Sequence, residues 1–424
     1  MSTLQGIDRV EDDPHPITGT AAPLVWKFGG TSVADHARLR AVAERMVAAQ
    51  RAGRGVVAVL SAMGTSTDEL SALAYAMSSR PPLRELDALL AVGESISCAL
   101  ASMAVAELGS HAVSLTGPQA GILTDDRHGN ARLREIRPRR ITDALDQGAI
   151  VLVTGFQGVS GSGDLTTLGR GGSDASAVAV AAALGVTECE IFTDVPAVFT
   201  ADPRVVPGAR RLASLRHEEM LEMAEAGAGV LQPRSVELAV AHGVDIHLRS
   251  SFSTGEGTWI RRERAVFEES ETSGVAGIAH RRHESLYTVR DVPVAAVATA
   301  LAERGLTLGA AVPGEGALRF SAPGAEPAEV AAALGGAAVH VSEDLGTVSV
   351  VSLGIARRPD IVVRALAALD EAGIAPRLVT TTPGRLTVHV ESAVVDDAVR
   401  LLHGVFIPAV GAGDTDLEGS ADAA

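Results

Sequence analysis

LVWKFGGTS, residues 24–32, is the stretch on which the reading of the fold turns. LVWKF reads as a buried strand, GG as the turn that ends it, and the residues from about Ala34 to Ala52 as a helix. Backbone N–H groups at such a junction can cradle phosphate oxygens, helped by the helix dipole. This is not the G-x-x-x-x-G-K-[ST] of a P-loop, because the lysine precedes the glycines. An ordinary strand–helix turn is the plainer reading of a bare GG. Composition weighs against it. Of 36 basic residues, only Lys27 is a lysine. A compact ammonium and a planar guanidinium are not equivalent where a phosphate is met at close range.

Outward from this stretch, apolar runs and helical patterns alternate. VVAVLSAM (56–63) reads as a strand, with a helix after Thr67-Asp68 and a longer one over about 84–108. HAVSLT (111–116), AIVLVTGF (149–156) and CEIFTDV (189–195) read as strands, and SDASAVAVAAALG (173–185) as a helix. Repeated strand–helix units with apolar strands predict an α/β domain, a mainly parallel sheet between helices. Residues 260–283 are rich in Ser, Gly, Glu and Arg and read as a linker. Two weakly similar halves follow, with strands at 285–290, 316–321, 337–342, 347–353, 375–381 and 385–391 and helices at 292–304, 326–335, 359–372 and 394–405. Both halves fit α+β, ferredoxin-like βαββαβ units. The expected division is therefore a disordered extension at 1–22, an α/β domain at 23–262, a linker at 263–283, a tandem α+β region at 284–408 and a disordered acidic tail at 409–424.

The chain has 424 residues, enough for two or three domains. Its formal net charge of −16 argues against nucleic-acid and anionic-membrane partners. Aromatics are 3%, so the cores are aliphatic. Cys98 and Cys189 have no metal-ligand spacing and read as buried thiols of a reducing compartment. The N-terminal residues lack the basic and apolar regions of a secretory signal. No apolar run approaches the ~20 residues that span a bilayer, so a cytoplasmic location is expected.

LGRGGSD (168–174) is a second Gly-rich loop that opens a helix. Arg170 offers a bidentate fork for a carboxylate or phosphate. Ser173 or Asp174 as a helix cap is the structural alternative, but a cap does not account for Arg, three Gly and Asp together. TDV (193–195) and FTADPR (199–204) follow a strand, where α/β proteins bind ligands, although an Asp- and Pro-rich turn reads equally well as structural. Glu94 lies within the apolar helix LLAVGESISCAL. Buried there, it needs a partner such as a substrate ammonium; on the outer face it needs none. No helical His pair suits zinc, neither H-x-E (217–219, 389–391) is followed by P-C-x-x-C, and no G-x-S-x-G marks a hydrolase. Phosphoryl transfer asks mainly for cationic clamps and positioned donors, which two Gly-rich loops, Lys27 and Arg170 supply.

The run KFGGTS, SAMGTSTDEL, GE, LGRGGSD, TDV…TADPR, EEMLEMAEAGAGVLQPRSVELA and RSSF closely resembles aspartate kinases of the amino-acid kinase fold, over residues 24–260. SAMGTSTDEL, GPQAGILTDDRHGNAR and TGFQGV resemble the actinobacterial type. The resemblance implies ATP and Mg²⁺ as cofactors, L-aspartate as substrate, and two C-terminal ACT domains that in this family bind lysine or threonine. It implies that Lys27, Gly29 and Gly30 hold the ATP phosphates and that Thr67, Glu94, Arg170 and Ser173 contact aspartate. Asp174 would order the catalytic loop and help with metal-bound phosphate, so Lys27 and Asp174 are the expected catalytic pair. Thr193, Asp194, Phe199, Arg204, Gly229 and Val230 would line the nucleotide site. ACT modules usually pair their sheets, which implies a homodimer or higher homo-oligomer.

Three departures qualify this. The family's G-A-K-V-L is GAGVL here, with Gly229 in place of a lysine that meets the nucleotide; losing one such donor costs about 3–4 kcal/mol of transition-state stabilisation. Arg204, Arg234 or the metal are the groups at hand to compensate. The family's T-D-V-D-G-V-Y is TDVPAVF. DVPVAAVATALAERGLTLGAAVPGEG (291–316) lacks the family's effector-binding P-G turn before its helix and the Q-N pair at a strand end, whereas VSVVSLGIARRPDIVVRALAALDEAGI (348–374) keeps more of the pattern. Feedback inhibition is therefore expected to be weak or lost. The alternative is a non-catalytic amino-acid-binding or partner subunit that kept the fold.

Overall fold

The computed structural model describes residues 22–262, 274–314, 316–335 and 338–407. The expectations of disorder for 1–22 and 409–424 lie outside these residues, apart from Ala22. The chain forms two compact units that divide after Phe192, inside the stretch expected as one domain.

In the first unit, strands β1 (Leu24–Phe28) and β2 (Val56–Leu60) flank α1 (His36–Arg51). Helices α2 (Ser66–Met77), α3 (Leu83–Leu90) and α4 (Val92–Glu107) lead to β3 (Ala112–Leu115). After them come β4 (Ile122–Thr124), β5 (Leu133–Ile136), α5 (Arg139–Asp146) and β6 (Ile150–Thr154). The hairpin β7 (Gln157–Val159) and β8 (Leu165–Thr167) precedes α6 (Gly172–Ala183) and β9 (Glu188–Thr193). β9, β1, β2, β6 and β3 form a sheet in that order with every pairing parallel, and β5-β4-β7-β8 form a small second sheet.

Alternation along β1 sorts its side chains. Trp26 and Phe28 join the core with α1 and α4, where Phe28 stacks on Phe192 at 4.8 Å. Lys27, one residue out of phase, faces α6. Burial of the strand on both faces explains why it reads as a continuous apolar run.

One expectation is corrected here. Helices α3 and α4 run together over Leu83–Glu107, long and apolar enough by length and composition to cross a membrane. The apolarity has another cause: Cys98, Ala101 and Val105 pack into the core with α1. Both cysteines are buried, and burial pushes both thiols up.

In the second unit, β10 (Ser214–Arg216), α7 (His217–Glu225), α8 (Pro233–His242), β11 (Asp245–Ser250) and β12 (Thr258–Arg261) come first, with strand order β10-β12-β11. Next, β13 (Gly277–Arg281) is a strand within the stretch expected as linker. The first βαββαβ module is β14 (Leu286–Arg290), α9 (Val294–Glu303), β15 (Ala311–Gly314), β16 (Ala317–Ser321), α10 (Pro327–Ala333) and β17 (Val339–Ser342). The second is β18 (Leu345–Val351), α11 (Pro359–Glu371), β19 (Leu378–Thr381), β20 (Arg385–Glu391) and α12 (Val395–Phe406).

The two module sheets are antiparallel, ordered β15-β16-β14-β17 and β13-β18-β20-β19. β13 thus occupies in the second module the place that β17 holds in the first. The first module is an insertion between the edge strand and the rest of the second. Its core is Tyr287, Val297, Leu301 and Phe320; the second's is Val348, Ile361, Leu369, Val388 and Leu402.

Candidate active site

Most of the expected residues of the first unit lie near where the parallel strands end, the usual location for ligands in such sheets. Gly29 and Gly30 follow β1, Ser61 and Ala62 follow β2, and Gly155 and Phe156 follow β6. Lys27 Nζ lies 2.6 Å from Asp174 Oδ1, with side chains only 11% and 10% exposed. Asp174 sits in the first turn of α6, whose N-cap is Gly171 with no side-chain cap bond. The capping alternative for Ser173 and Asp174 therefore fails: both lie inside the helix, and Asp174 is engaged by Lys27.

The Gly29 N–H donates to the Phe192 carbonyl at 3.1 Å, so it is not a free phosphate donor. Gly30 and Thr31 begin the 3-10 turn Gly30–Val33 and supply its first N–H groups, which have no partner within the turn. A Cβ on Gly30 would stand 3.0 Å from the Ala62 carbonyl, which is the reason for glycine there. Ala62 in turn donates its N–H to Glu94 Oε1 at 3.2 Å. Gly93 permits this approach, since a Cβ on it would meet that of Ala62 at 2.7 Å.

Glu94 is 3% exposed, and its Oε2 has no hydrogen-bond partner. Desolvation pushes its carboxyl up to about 7, against the pull of the Ala62 N–H. The outer-face alternative for Glu94 is thereby excluded. A buried carboxylate with one open oxygen is a receptor for a cationic group.

The loop Leu168–Gly171 is built on two left-handed glycines, Gly169 (φ 76°) and Gly171 (φ 69°). It carries Arg170, which is exposed and makes no ion pair among the described residues. Ser173 is buried against Gly155, where a Cβ would come within 2.6 Å of its Oγ. Thr67, half-buried in α2, belongs to the same unit.

Six of the expected nucleotide residues lie in the second unit. Thr193 Oγ1 donates to Asp194 Oδ1 at 3.1 Å, and the Thr193 carbonyl accepts the Ser251 N–H. Phe199 bridges to Arg211. Arg204 is 89% exposed and grips Asp202, with Nη2 at 2.7 Å from Oδ2. Gly229 is exposed, and nothing lies within 4 Å of the position its Cβ would take; Val230 beside it is half-buried.

Residues 23–250 match the amino acid kinase family. The chain is 45% identical over 405 residues to the aspartokinase of Mycolicibacterium smegmatis, spanning 91% of this chain and 96% of that protein. It is 42% identical to the aspartokinase of Geobacillus stearothermophilus, spanning 90% and 97%. This chain belongs to the aspartokinases. In fold it is similar to Escherichia coli aspartokinase III in complex with aspartate and ADP (TM-score 0.76, 23% identity, 90% of this chain and 99% of that one). The aspartate kinase from Synechocystis superposes with TM-score 0.52 at 33% identity, over 91% and 69%.

Two residues that support the candidate site were missed by the sequence reading. Phe156 has φ 68°, a left-handed conformation costing about 1–2 kcal/mol for a non-glycine residue. Its N–H donates to Ser176 Oγ at 3.2 Å and its carbonyl accepts the Leu168 N–H at 2.8 Å. Ser176 Oγ donates onward to the Gly172 carbonyl. Phe156 and Ser176 therefore brace the Arg170 loop and the start of α6. The Gly-Phe step at the end of an apolar strand is the one local signal for this.

A magnesium ion would find Asp174 as its carboxylate here. No group of three or more His, Cys, Asp or Glu side chains among the described residues could hold a metal by itself. One carboxylate suits an ion that keeps several waters and arrives with substrate phosphates.

Proposed function

We propose that this aspartokinase transfers the γ-phosphoryl group of ATP to the β-carboxylate of L-aspartate through a site built on Lys27, Asp174, Glu94 and Arg170. The observation that carries the reading is the buried carboxylate of Glu94, with one oxygen satisfied by Ala62 and the other open. Its partner is the substrate ammonium. Arg170 takes the α-carboxylate in a bidentate fork, with Thr67 and Ser173 as the remaining polar contacts, and this pairing selects a free α-amino acid over an N-acylated one. Lys27 leaves its pairing with Asp174 to meet the phosphates, and the Gly30 turn offers its N–H groups beside it.

A β-carboxylate oxygen attacks the γ-phosphorus, the new P–O bond forms, and the bond to the β,γ-bridging oxygen breaks as ADP leaves. No general base is required, because the carboxylate is ionised at neutral pH. Magnesium, when bound, neutralises phosphate charge. Asp174 is the residue that would hold it through the nucleotide. Thr193, Asp194, Phe199, Arg204, Gly229 and Val230 are assigned to the nucleotide. We place catalysis in residues 23–262 and regulation in 284–408, in a cytoplasmic homo-oligomer.

Gly229→Lys tests the nucleotide assignment. Space and backbone both admit the side chain, and the added cation is expected to lower KM for ATP about tenfold, since one well-placed donor carries that much or more. An unchanged KM would show that position 229 does not reach the nucleotide.

Regulation is assigned as weak or absent for lysine and threonine, because 291–316 lacks the effector-binding pattern. Either amino acid, titrated to millimolar levels, is expected to leave activity within twofold. Strong inhibition by either would refute this. Wild-type turnover of L-aspartate in a hydroxamate assay is the direct test of the reaction itself. Folded protein with no turnover would favour a binding subunit, with Gly229 as its mark.

A further inference from the structure

Asp87 is a carboxylate the reaction does not use, and it is 0% exposed in the middle of α3. The Gly129 N–H donates to both of its oxygens at 3.0 Å, and His128 Nδ1 lies 2.8 Å from Oδ2. Thr167 Oγ1 donates to Oδ1 at 2.5 Å. Taking a charge into the core is costly unless every lone pair is met. An apolar side chain would pack α3 at lower cost. What the carboxylate adds is geometry: it ties α3 to two chain segments 41 and 80 residues away.

Both segments touch the substrate loop. Thr167 ends β8 and precedes Leu168–Gly171 directly, and its carbonyl accepts the Ala131 N–H at 2.9 Å. On the other side Asn130 follows Gly129, and a Cβ on Gly169 would stand 2.9 Å from Asn130 Oδ1. Asp87 therefore fixes the floor and the entry of the loop that carries Arg170. One turn earlier, Arg84 pairs with Asp164 at 2.7 Å on the β7–β8 connection, so α3 holds this hairpin at two points. We propose that Asp87 is a positioning residue for aspartate binding, setting the Arg170 loop through Thr167 and the Gly129–Asn130 turn without touching substrate. The inference rests on the assignment of Arg170 to the substrate α-carboxylate.

The test uses the full chain and steady-state kinetics in which aspartate and ATP are varied separately. Asp87→Asn keeps the size but sets an N–H₂ among donors. Thr167→Val removes only the link to the loop, and it carries the test if the first variant does not fold. Both are expected to raise KM for aspartate about 10- to 100-fold, as loss of supporting contacts does, and to leave KM for ATP within threefold. Combined with Arg170→Ala, either should add little, because the two changes act on one interaction. Equal rises in both KM values, no rise in KM for aspartate, or full additivity with Arg170→Ala would overturn the proposal. An Arg170→Ala variant with unchanged KM for aspartate would instead overturn the Arg170 assignment, and this inference with it.

Discussion

Lys27→Met is expected to lower kcat by about 10²–10³ or more, with KM for aspartate nearly unchanged. Removing one preorganised donor from developing phosphoryl charge typically has an effect of this size. No other lysine exists in the chain to take over. Arginine is expected to rescue poorly: Lys27 is almost fully buried, Gly29 lies against its ammonium, and a guanidinium is larger and planar. The same change strands Asp174, whose side chain is 10% exposed, and breaking a buried pair costs about 3–5 kcal/mol. Stability and catalysis are separable. Lys27→Met/Asp174→Asn should recover most of the lost thermal stability and none of the activity. A double variant that regained both would show the pair to be structural only.

Glu94→Gln is expected to raise KM for aspartate about 100-fold, a charge-assisted contact being worth roughly 1.5–3 kcal/mol. Glutamine can still accept the Ala62 N–H, so the fold should survive. The pH profile supplies the sharper readout. With the Glu94 carboxyl held at about 7 in the free enzyme, its charged form gains population as pH rises from 6 to 8. kcat/KM for aspartate should therefore rise across that window in the wild type and level off above it. Below pH 7 the neutral acid offers the ammonium no charge. Glu94→Gln should lack this rise, and comparing the two profiles removes any titration of the nucleotide itself. Parallel profiles would mean that Glu94 does not face the substrate.

The central strands of the first unit were legible because burial on both faces writes them as unbroken apolar runs, as in VVAVL and AIVLVT. The hidden ones lack that mark. β13 ends in His280-Arg281 and pairs with β18 across an inserted module, so no local pattern announces it. β15 contains Pro313 and Gly314, the composition of a turn, and is an edge strand. In the site, Lys27 was visible through composition and Arg170 through its loop.

Asp87 was not, because RELDALL reads as an amphipathic helix with its charges in water. Arg84 and Glu85 are in fact exposed, and only long-range pairing makes Asp87 different. Gly29 illustrates the reverse: the GG turn stands out in the sequence, but the Gly29 N–H is taken by Phe192 on the neighbouring strand.

The most direct test of the proposed reaction is an ATP- and Mg²⁺-dependent hydroxamate assay of the wild-type chain against a panel of free and N-acylated amino acids. Product is expected with L-aspartate and none with N-acetyl-L-aspartate, which lacks the ammonium that Glu94 requires. Product from the acylated substrate at a comparable rate, or none from L-aspartate with folded, ATP-binding protein, would contradict it.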